Sequence, residues 1–295
     1  MALRPTTVAA LEAAGLDPAY VESLVRATVA EDLGGGVDVT SAATVPPEQR
    51  STLDLVTRAE GVAAGVPVAA AVFDAVSEGD AEVTVVRSDG SRVSPGDVLV
   101  TATGRTQDLL TAERTALNLL CHLSGVATAT ARWADALEGT GCRVRDTRKT
   151  TPGLRILEKY AVRCGGGVNH RMFLSDAALV KDNHVVAAGG VAAAFDKVRA
   201  MWPGLPVEVE VDSLAQLDEV LAAGADLVLL DNFTVEQMRQ AVARTAGRAR
   251  LEASGGLSLD VATAVAQTGV DYLAVGALTH SAPVLDIGAD LRQVT

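Results

Sequence analysis

A chain of 295 residues with 48% hydrophobic residues is long enough to bury one large or two modest cores. It has no run of apolar residues long enough for a membrane span and no apparent secretory signal in residues 1–15, so we expect a cytoplasmic protein. The net charge of −12 and the 3% aromatic content argue against nucleic acid as a partner. The three cysteines lack metal-type spacing and are expected to be reduced thiols.

The first hundred or so residues have the pattern of a small α+β unit. Asp17 and Pro18 are suited to begin a helix, which we expect to end near Leu33 in a glycine run. Residues 37–46 are predicted to form a loop. The segments that follow are predicted, in order, as strand 51–61, helix 66–79, strand 81–93 and strand 94–104.

A long amphipathic helix is predicted over 106–125 and is expected to continue over 127–137. After this helix the sequence pattern changes. Short apolar runs now alternate with helical segments, at 142–148, 178–184, 207–212, 226–231, 250–256 and 271–278. The last four runs begin about twenty residues apart, which is typical of strand–helix units in a parallel sheet or barrel. Six or seven strands are too few for an eight-stranded barrel, so we predict an incomplete closed barrel, with an open doubly wound sheet as the alternative.

Positive charge is concentrated in residues 143–171. This segment holds eight of the 25 lysines and arginines and only two acidic residues. So much local positive charge in an acidic chain is unfavourable unless an anion binds to it. We therefore predict a binding site for a small, highly charged anion.

The predicted strand ends carry the other candidate residues, because barrel enzymes place their chemistry at the carboxyl ends of the strands. These residues are Arg148, Lys149, Lys181, Glu210, Asp231, Ser254, Gly255, Gly256, Gly276 and Ala277. Small residues at the last two strand ends would let backbone N–H groups approach a phosphate. Each feature also has a structural interpretation: Glu210 as the partner of a buried cation, Asp231 as a helix cap, and the glycines as tight turns. Together they favour an enzyme for a phosphorylated, hydroxyl-bearing ligand.

Long motifs throughout the chain resemble the quinolinate phosphoribosyltransferase family. They lie, in order, at 31–41, 113–128, 146–184, 207–216, 229–233, 252–257 and 272–283. The resemblance implies an α/β fold with an N-terminal α/β sandwich domain, 1–112, and an incomplete, about seven-stranded parallel α/β barrel, 113–283. It also implies that the C-terminal tail, 284–295, packs back on the first domain.

The activity that the resemblance implies is phosphoribosyl transfer from phosphoribosyl pyrophosphate (PRPP) to quinolinate, with decarboxylation. The products would be nicotinate mononucleotide, CO₂ and pyrophosphate, in NAD biosynthesis. Mg²⁺ is the expected cofactor. The expected assembly is a homodimer with shared active sites, and a higher oligomer of dimers is left open.

The resemblance also assigns roles to individual residues. Quinolinate would be bound by Thr147, Arg148, Lys149, His170 and Arg171, with Arg114 contributed by the partner subunit. PRPP and its phosphates would be bound by Lys181, Glu210, Asp231, Ser254, Gly255, Gly256, Gly276 and Ala277. Lys149, Glu210 and Asp231 would be catalytic, and the two acids would hold the metal mostly by way of the substrate.

Three other interpretations are weighed against this one. A paralogous phosphoribosyltransferase of the same fold could use nicotinate or be associated with molybdenum transport, although a mono-acid site would not need so many cations. A Schiff-base barrel lyase would use Lys181 as its nucleophile. A non-catalytic phosphate-binding module would leave Glu210 and Asp231 without a role.

Overall fold

The computed structural model describes residues 3–293, which form two compact units. The first unit contains residues up to 129, residues 156–166 and the chain from 281 onward, and the second contains 130–155 and 167–280. These limits differ from the predicted domain limits at 112 and 283. One continuous helix, Thr106–Ala136, runs past the first limit. The segment 156–166 belongs to the first unit, where the Tyr160 hydroxyl donates to Asp89 at 2.6 Å and Glu158 lies 2.9 Å from His122.

Helices and strands alternate along most of the chain. The helices are α1 (Pro5–Ala13), α2 (Pro18–Leu33), α3 (Val39–Thr44), α4 (Val66–Val76), α5 (Thr106–Ala136), α6 (Arg155–Cys164), α7 (Asp182–Ala188), α8 (Val191–Met201), α9 (Leu214–Ala222), α10 (Val235–Thr245), α11 (Leu259–Ala266) and α12 (Ala277–His280). The strands are β1 (Arg50–Thr57), β2 (Gly61–Val62), β3 (Glu82–Val85), β4 (Arg92–Val93), β5 (Val98–Arg105), β6 (Arg143–Arg145), β7 (Ala178–Val180), β8 (Val207–Val211), β9 (Leu227–Asp231), β10 (Arg250–Ser254), β11 (Tyr272–Ala274) and β12 (Ile287–Gln293).

The first unit is built on an antiparallel sheet in the order β12-β1-β5-β3. The C-terminal strand β12 pairs with β1 from Ser51 to Thr57, with Leu53 opposite Leu291. Helix α4 is buried from residue 66 to 74, because all of these residues except Asp74 are apolar. Asp74 pairs with Arg4 at 2.6 Å, which compensates its burial.

Helix ends in this unit show where local sequence was informative. The predicted helix from residue 18 to 33 is confirmed: Asp17 accepts the N–H of Ala19, and Gly34 ends the helix in a left-handed conformation. The predicted loop over 37–46 is wrong, since it contains α3. The Asp38 carboxylate accepts the N–H groups of Thr40 and Ser41, and this cap stabilises a helix of only six residues.

The second unit contains a parallel sheet in the order β6-β11-β10-β9-β8-β7. Val168 adds an isolated parallel bridge to Arg145 at the β6 side. The structure therefore has six strands and a one-residue bridge where about seven strands were predicted. Central strands such as β9 are almost entirely apolar and buried, as expected for parallel strands covered on both faces. Their carboxyl ends carry the polar residues.

No helix within residues 3–293 is both long and apolar enough to cross a membrane. Cys121, Cys142 and Cys164 are free thiols. Burial raises the pKa of Cys142 to about 12 and that of Cys164 to about 11, so neither is a reactive thiolate near neutral pH.

Candidate active site

A cavity of about 550 Å³ lies at the carboxyl ends of the parallel strands in the second unit. Nine predicted site residues line it: Thr147, Arg148, Lys149, His170, Arg171, Lys181, Glu210, Asp231 and Ser254. Leu179, Asp182, Leu229, Glu252 and Ala274 complete the lining. Residues far apart in the chain meet here because every parallel strand ends at the same edge of the sheet. The fold thus brings the predicted cations and carboxylates into one cavity.

Two arginines in this cavity have unsatisfied donors. The Nε atoms of Arg148 and Arg171 are buried and have no hydrogen-bond partner among the described residues. Arg171 uses one Nη1–H to donate to the Ala177 carbonyl at 2.8 Å. Burial and then the positive charge of Arg148 lower the pKa of Arg171, so the two guanidinium groups repel each other. An anion with planar carboxylates would satisfy both donors and remove the repulsion.

The acidic side of the cavity is formed by Glu210 on β8 and Asp231 at the end of β9. Lys181 Nζ donates to Glu210 Oε2 at 2.7 Å, and both side chains are partly exposed. Glu210 therefore pairs with a cation at the cavity surface rather than with a buried one. Asp231 does not cap α10, because Thr234 caps that helix. Its carboxylate accepts only from the neighbouring Asn232 amide among the hydrogen bonds found, at 2.7 Å.

The glycines after β10 and β11 allow close approach of the backbone. Gly255 has φ +96°, and a Cβ there would overlap the side-chain amide of Asn232. A Cβ on Gly276 would lie 3.0 Å from Cδ of Lys149, so the glycine leaves room for that lysine. Within the described residues, the N–H groups of Gly255, Gly256 and Gly276 donate no hydrogen bond. These donors are suited to phosphate oxygens.

A buried charged cluster under the cavity was not predicted. It consists of Arg145, Glu208, Glu252 and His170. Arg145 Nη1 donates to Glu252 Oε2 at 2.6 Å and lies 4.0 Å from Glu208 Oε1. His170 Nε2 lies 2.7 Å from Glu208 Oε2. The available signal was a carboxylate flanked by apolar residues inside each of two strands, Glu208 in β8 and Glu252 in β10.

The pKa of Glu252 is raised to about 8, first by burial and then by the charge of Glu208, with Arg145 opposing the shift. Near neutral pH this side chain is therefore mostly protonated. One potential metal-ligand atom from each of His170, Glu208 and Glu252 lies within 4.8 Å of the other two. Arg145 Nη1 already donates to one Glu252 oxygen at 2.6 Å and is the cation of the cluster, so we interpret the cluster as a buried polar network around Arg145.

Glu252→Gln tests this buried acid, since glutamine has the shape of the neutral carboxyl. A folded-state pKa raised above the unfolded value means that stability is lost as the pH rises from about 4.5 toward 8. The variant should not show this loss. We expect its Tm relative to the wild type to rise by at least about 2–4 °C between about pH 5.5 and about pH 8.5, measured by thermal unfolding. A constant Tm difference would show that Glu252 is ionised throughout that range.

Arg114 lies on α5 in the first unit and is exposed. It forms no hydrogen bond or ion pair within residues 3–293. The contacts within the described part of one chain therefore give no role to the Arg114 side chain.

A second cavity, of about 540 Å³, lies at the amino ends of β8, β9 and β10. None of the predicted site residues lines it. Its arginines have partners in the chain: Arg250 donates to the Tyr272 hydroxyl at 2.9 Å and Arg199 to the Ala223 carbonyl at 3.4 Å. Within residues 3–293, this end of the sheet has no arginine with a buried, unpartnered Nε comparable to that of Arg148 or Arg171.

Two protein-family models match this chain. Residues 126–290 match the model of the quinolinate phosphoribosyl transferase C-terminal domain, and residues 38–124 match that of the N-terminal domain. Together the two matches span most of the chain, with the N-terminal domain first and the C-terminal domain after it. The chain belongs to the quinolinate phosphoribosyltransferase family. The predicted family and α/β fold class are thereby confirmed.

Relatives match over nearly their whole length. Nicotinate-nucleotide pyrophosphorylase (carboxylating) of Mycobacterium leprae (strain TN) is 56% identical over 271 residues, covering 90% of this chain and 95% of the relative. Quinolinate phosphoribosyltransferase (decarboxylating) 1b of Nicotiana tabacum is 36% identical, covering 92% and 82%. The crystal structure of NadC from Streptococcus pyogenes superposes with a TM-score of 0.91 at 40% identity, covering 95% of this chain and 99% of that one.

Proposed function

We propose that this protein transfers the phosphoribosyl group of PRPP to quinolinate and releases CO₂ and pyrophosphate, giving nicotinate mononucleotide for NAD biosynthesis. The pyridine nitrogen attacks the anomeric carbon of the ribose, and the 2-carboxylate is lost as CO₂. No protein nucleophile is needed, so the protein contributes position and electrostatics. The observation that carries the proposal is the pair of buried, unpartnered guanidinium Nε groups of Arg148 and Arg171 in a cavity that also contains Glu210 and Asp231.

The acceptor site is the basic side of the cavity. Arg148 and Arg171 bind the two carboxylates of quinolinate, since a planar guanidinium pairs with a carboxylate through two parallel N–H groups. Thr147 and Lys149 add polar contacts beside them. Burial and then the charge of Arg148 lower the pKa of Arg171, and two neighbouring cations favour a dianion over a mono-acid.

The donor site consists of the acidic side of the cavity and the glycine-containing turns after β10 and β11. Glu210 and Asp231 bind the ribose hydroxyls and stabilise positive charge that develops on the sugar in the transition state. Lys149 and Lys181 neutralise pyrophosphate, and the 5′-phosphate lies on the N–H groups of Ser254, Gly255, Gly256, Gly276 and Ala277. The carboxylate oxygens of Glu210 and Asp231 are the ligands that Mg²⁺ prefers, so these residues would hold it together with the substrate. The ion would supply positive charge to the leaving pyrophosphate.

The active unit in this proposal is a homodimer in which Arg114 of each chain completes the other chain's site. Its support is the exposed, unpartnered state of Arg114 in the described part of the chain. The free cysteines are consistent with action in the cytoplasm.

The experiment is an assay of the pure protein with PRPP, Mg²⁺ and either quinolinate or nicotinic acid. We expect nicotinate mononucleotide and an equal amount of CO₂ from quinolinate. With nicotinic acid, one arginine charge stays unpaired, which costs about 2–5 kcal/mol, or about 30-fold to several thousand-fold in kcat/KM. Equal turnover of the two acids would contradict the proposal and favour a nicotinate-using paralogue.

The Schiff-base lyase is disfavoured by the contact of Lys181. Its ammonium lies 2.7 Å from Glu210, and an ion-paired ammonium is not a nucleophile. Borohydride treatment in the presence of a sugar phosphate that has an aldehyde or ketone group should therefore give no covalent adduct at Lys181.

A further inference from the structure

Both ring nitrogens of His170 are engaged by the protein itself. Nδ1 accepts the backbone N–H of Arg171 at 2.7 Å, so Nδ1 carries no proton. The ring proton must then be on Nε2, which faces Glu208 Oε2 at 2.7 Å, a close contact although not a well-aligned hydrogen bond. The side chain is 8% exposed. A histidine bound in this way has no spare N–H to donate to a substrate carboxylate.

Glu208 also lies near the guanidinium group of Arg145. Arg145 Nη1 lies 4.0 Å from its Oε1, and Arg145 in turn is bonded to Glu252 at 2.6 Å. The other side of His170 is fixed through its backbone, whose N–H donates to Asp146 Oδ1 at 2.8 Å. The imidazole therefore stands between two buried acids and the main chain of Arg171.

The position of this cluster argues against a role in stability alone. Buried ion pairs contribute little net stability, because removing charges from water costs about as much as their attraction returns. Apolar residues at these two buried positions, 208 and 252, would be stable without such pairing. The polar groups of the cluster instead lie beside the cavity: Glu252 contributes to its lining, and His170 precedes Arg171, one of the two arginines whose buried Nε has no partner among the described residues.

We propose that Glu208 is a positioning residue for the acceptor: it holds the His170 ring so that Nδ1 fixes the backbone of Arg171, and hence its guanidinium, for the quinolinate carboxylate. His170 acts through Arg171 and does not itself donate to the substrate. This inference rests on the proposed function for the identity of the acceptor. It changes the role that the resemblance implies for His170, and it assigns Glu208 a role that the sequence motifs do not.

The kinetic test compares Glu208→Ala, Glu208→Gln and Glu219→Ala. Displacing a binding group by a fraction of an ångström reduces its effect strongly, so Glu208→Ala should raise the KM for quinolinate about tenfold or more while the KM for PRPP changes by less than about twofold. Glu208→Gln keeps an oxygen that can accept from Nε2–H and should remain within about threefold of the wild type. Glu219→Ala removes an exposed carboxylate from α9 in the same unit and should change neither KM.

Two further measurements distinguish a positioning role of Glu208 from a general loss of folding in its variants. In an Arg171→Ala background, Glu208→Ala should raise the KM for quinolinate no further, because the residue through which it acts is already absent. In wild-type protein labelled with ¹⁵N-histidine, the His170 signal, assigned with His170→Gln, should show an unprotonated Nδ1 and a protonated Nε2. If Glu208→Ala fails to fold, the Gln variant and the spectrum decide the question.

A protonated Nδ1 on His170, an equal rise of both KM values in Glu208→Ala, or full additivity with Arg171→Ala would overturn the inference. Failure of the proposed function would look different. The wild type would then give no product from quinolinate, whereas the spectrum of His170 could still show the inferred tautomer.

Discussion

Arg148→Ala and Arg171→Ala should each raise the KM for quinolinate by about 30-fold or more and leave PRPP binding within about threefold. Truncating one partner of a buried charge pair costs about 2–5 kcal/mol, and each arginine here contributes a buried donor that only the acceptor would satisfy. Steady-state kinetics would give the KM for quinolinate, and calorimetry with PRPP and Mg²⁺ would give donor binding. Arg239→Ala is the matched control, because that arginine is exposed on α10.

Substitutions on the acidic side of the cavity should have the opposite effect on the two substrates. Lys181→Ala and Asp231→Ala change the acidic side of the cavity and should lower donor affinity or kcat much more than quinolinate affinity. The two sets of residues come from different strand ends, which is why their effects should separate. If Arg171→Ala lost PRPP binding and kept quinolinate binding, the basic side of the cavity would bind the donor and our assignment of the two sides would be wrong.

Mixing inactive Arg114→Ala and Arg148→Ala proteins should restore activity to roughly a quarter of the wild type. Each homodimer should lose activity by about 30-fold or more, since every site lacks one arginine. After subunit exchange, about half of the dimers are mixed, and one of their two sites carries both defects while the other carries neither. One intact site in half of the dimers gives the quarter. Activity would be followed against time after mixing, with exchange verified by native mass spectrometry of tagged chains.

The control for this experiment pairs Arg148→Ala with Lys181→Ala. Both residues line the cavity of their own chain, so exchange leaves no site intact and no activity should return. Absence of recovery with Arg114→Ala as well, despite proven exchange, would mean that Arg114 serves its own chain or only packs on the surface.

Local signals in the sequence were sufficient for several elements. Asp17, Pro18 and Gly34 predicted the limits of α2, because capping depends only on neighbouring residues. The same kind of cap at Asp38 produced α3, which was predicted as a loop since a six-residue helix has too short a pattern to be recognised. The prediction that Arg148, Lys181, Glu210 and Asp231 would share one site needed only that parallel strands end at one edge.

The sequence by itself determined the family, the alternation of strands and helices, and which charged residues stand at strand ends. Only the tertiary structure decided how the buried charges pair. Arg145 and Glu252 are 107 residues apart, and they meet because the sheet order brings β6, β11 and β10 side by side. Likewise, Glu208 contacts His170 although nothing in the spacing of the two residues indicates it. Strand order is set by the packing of the whole unit, so a pairing that depends on it cannot be read from local sequence.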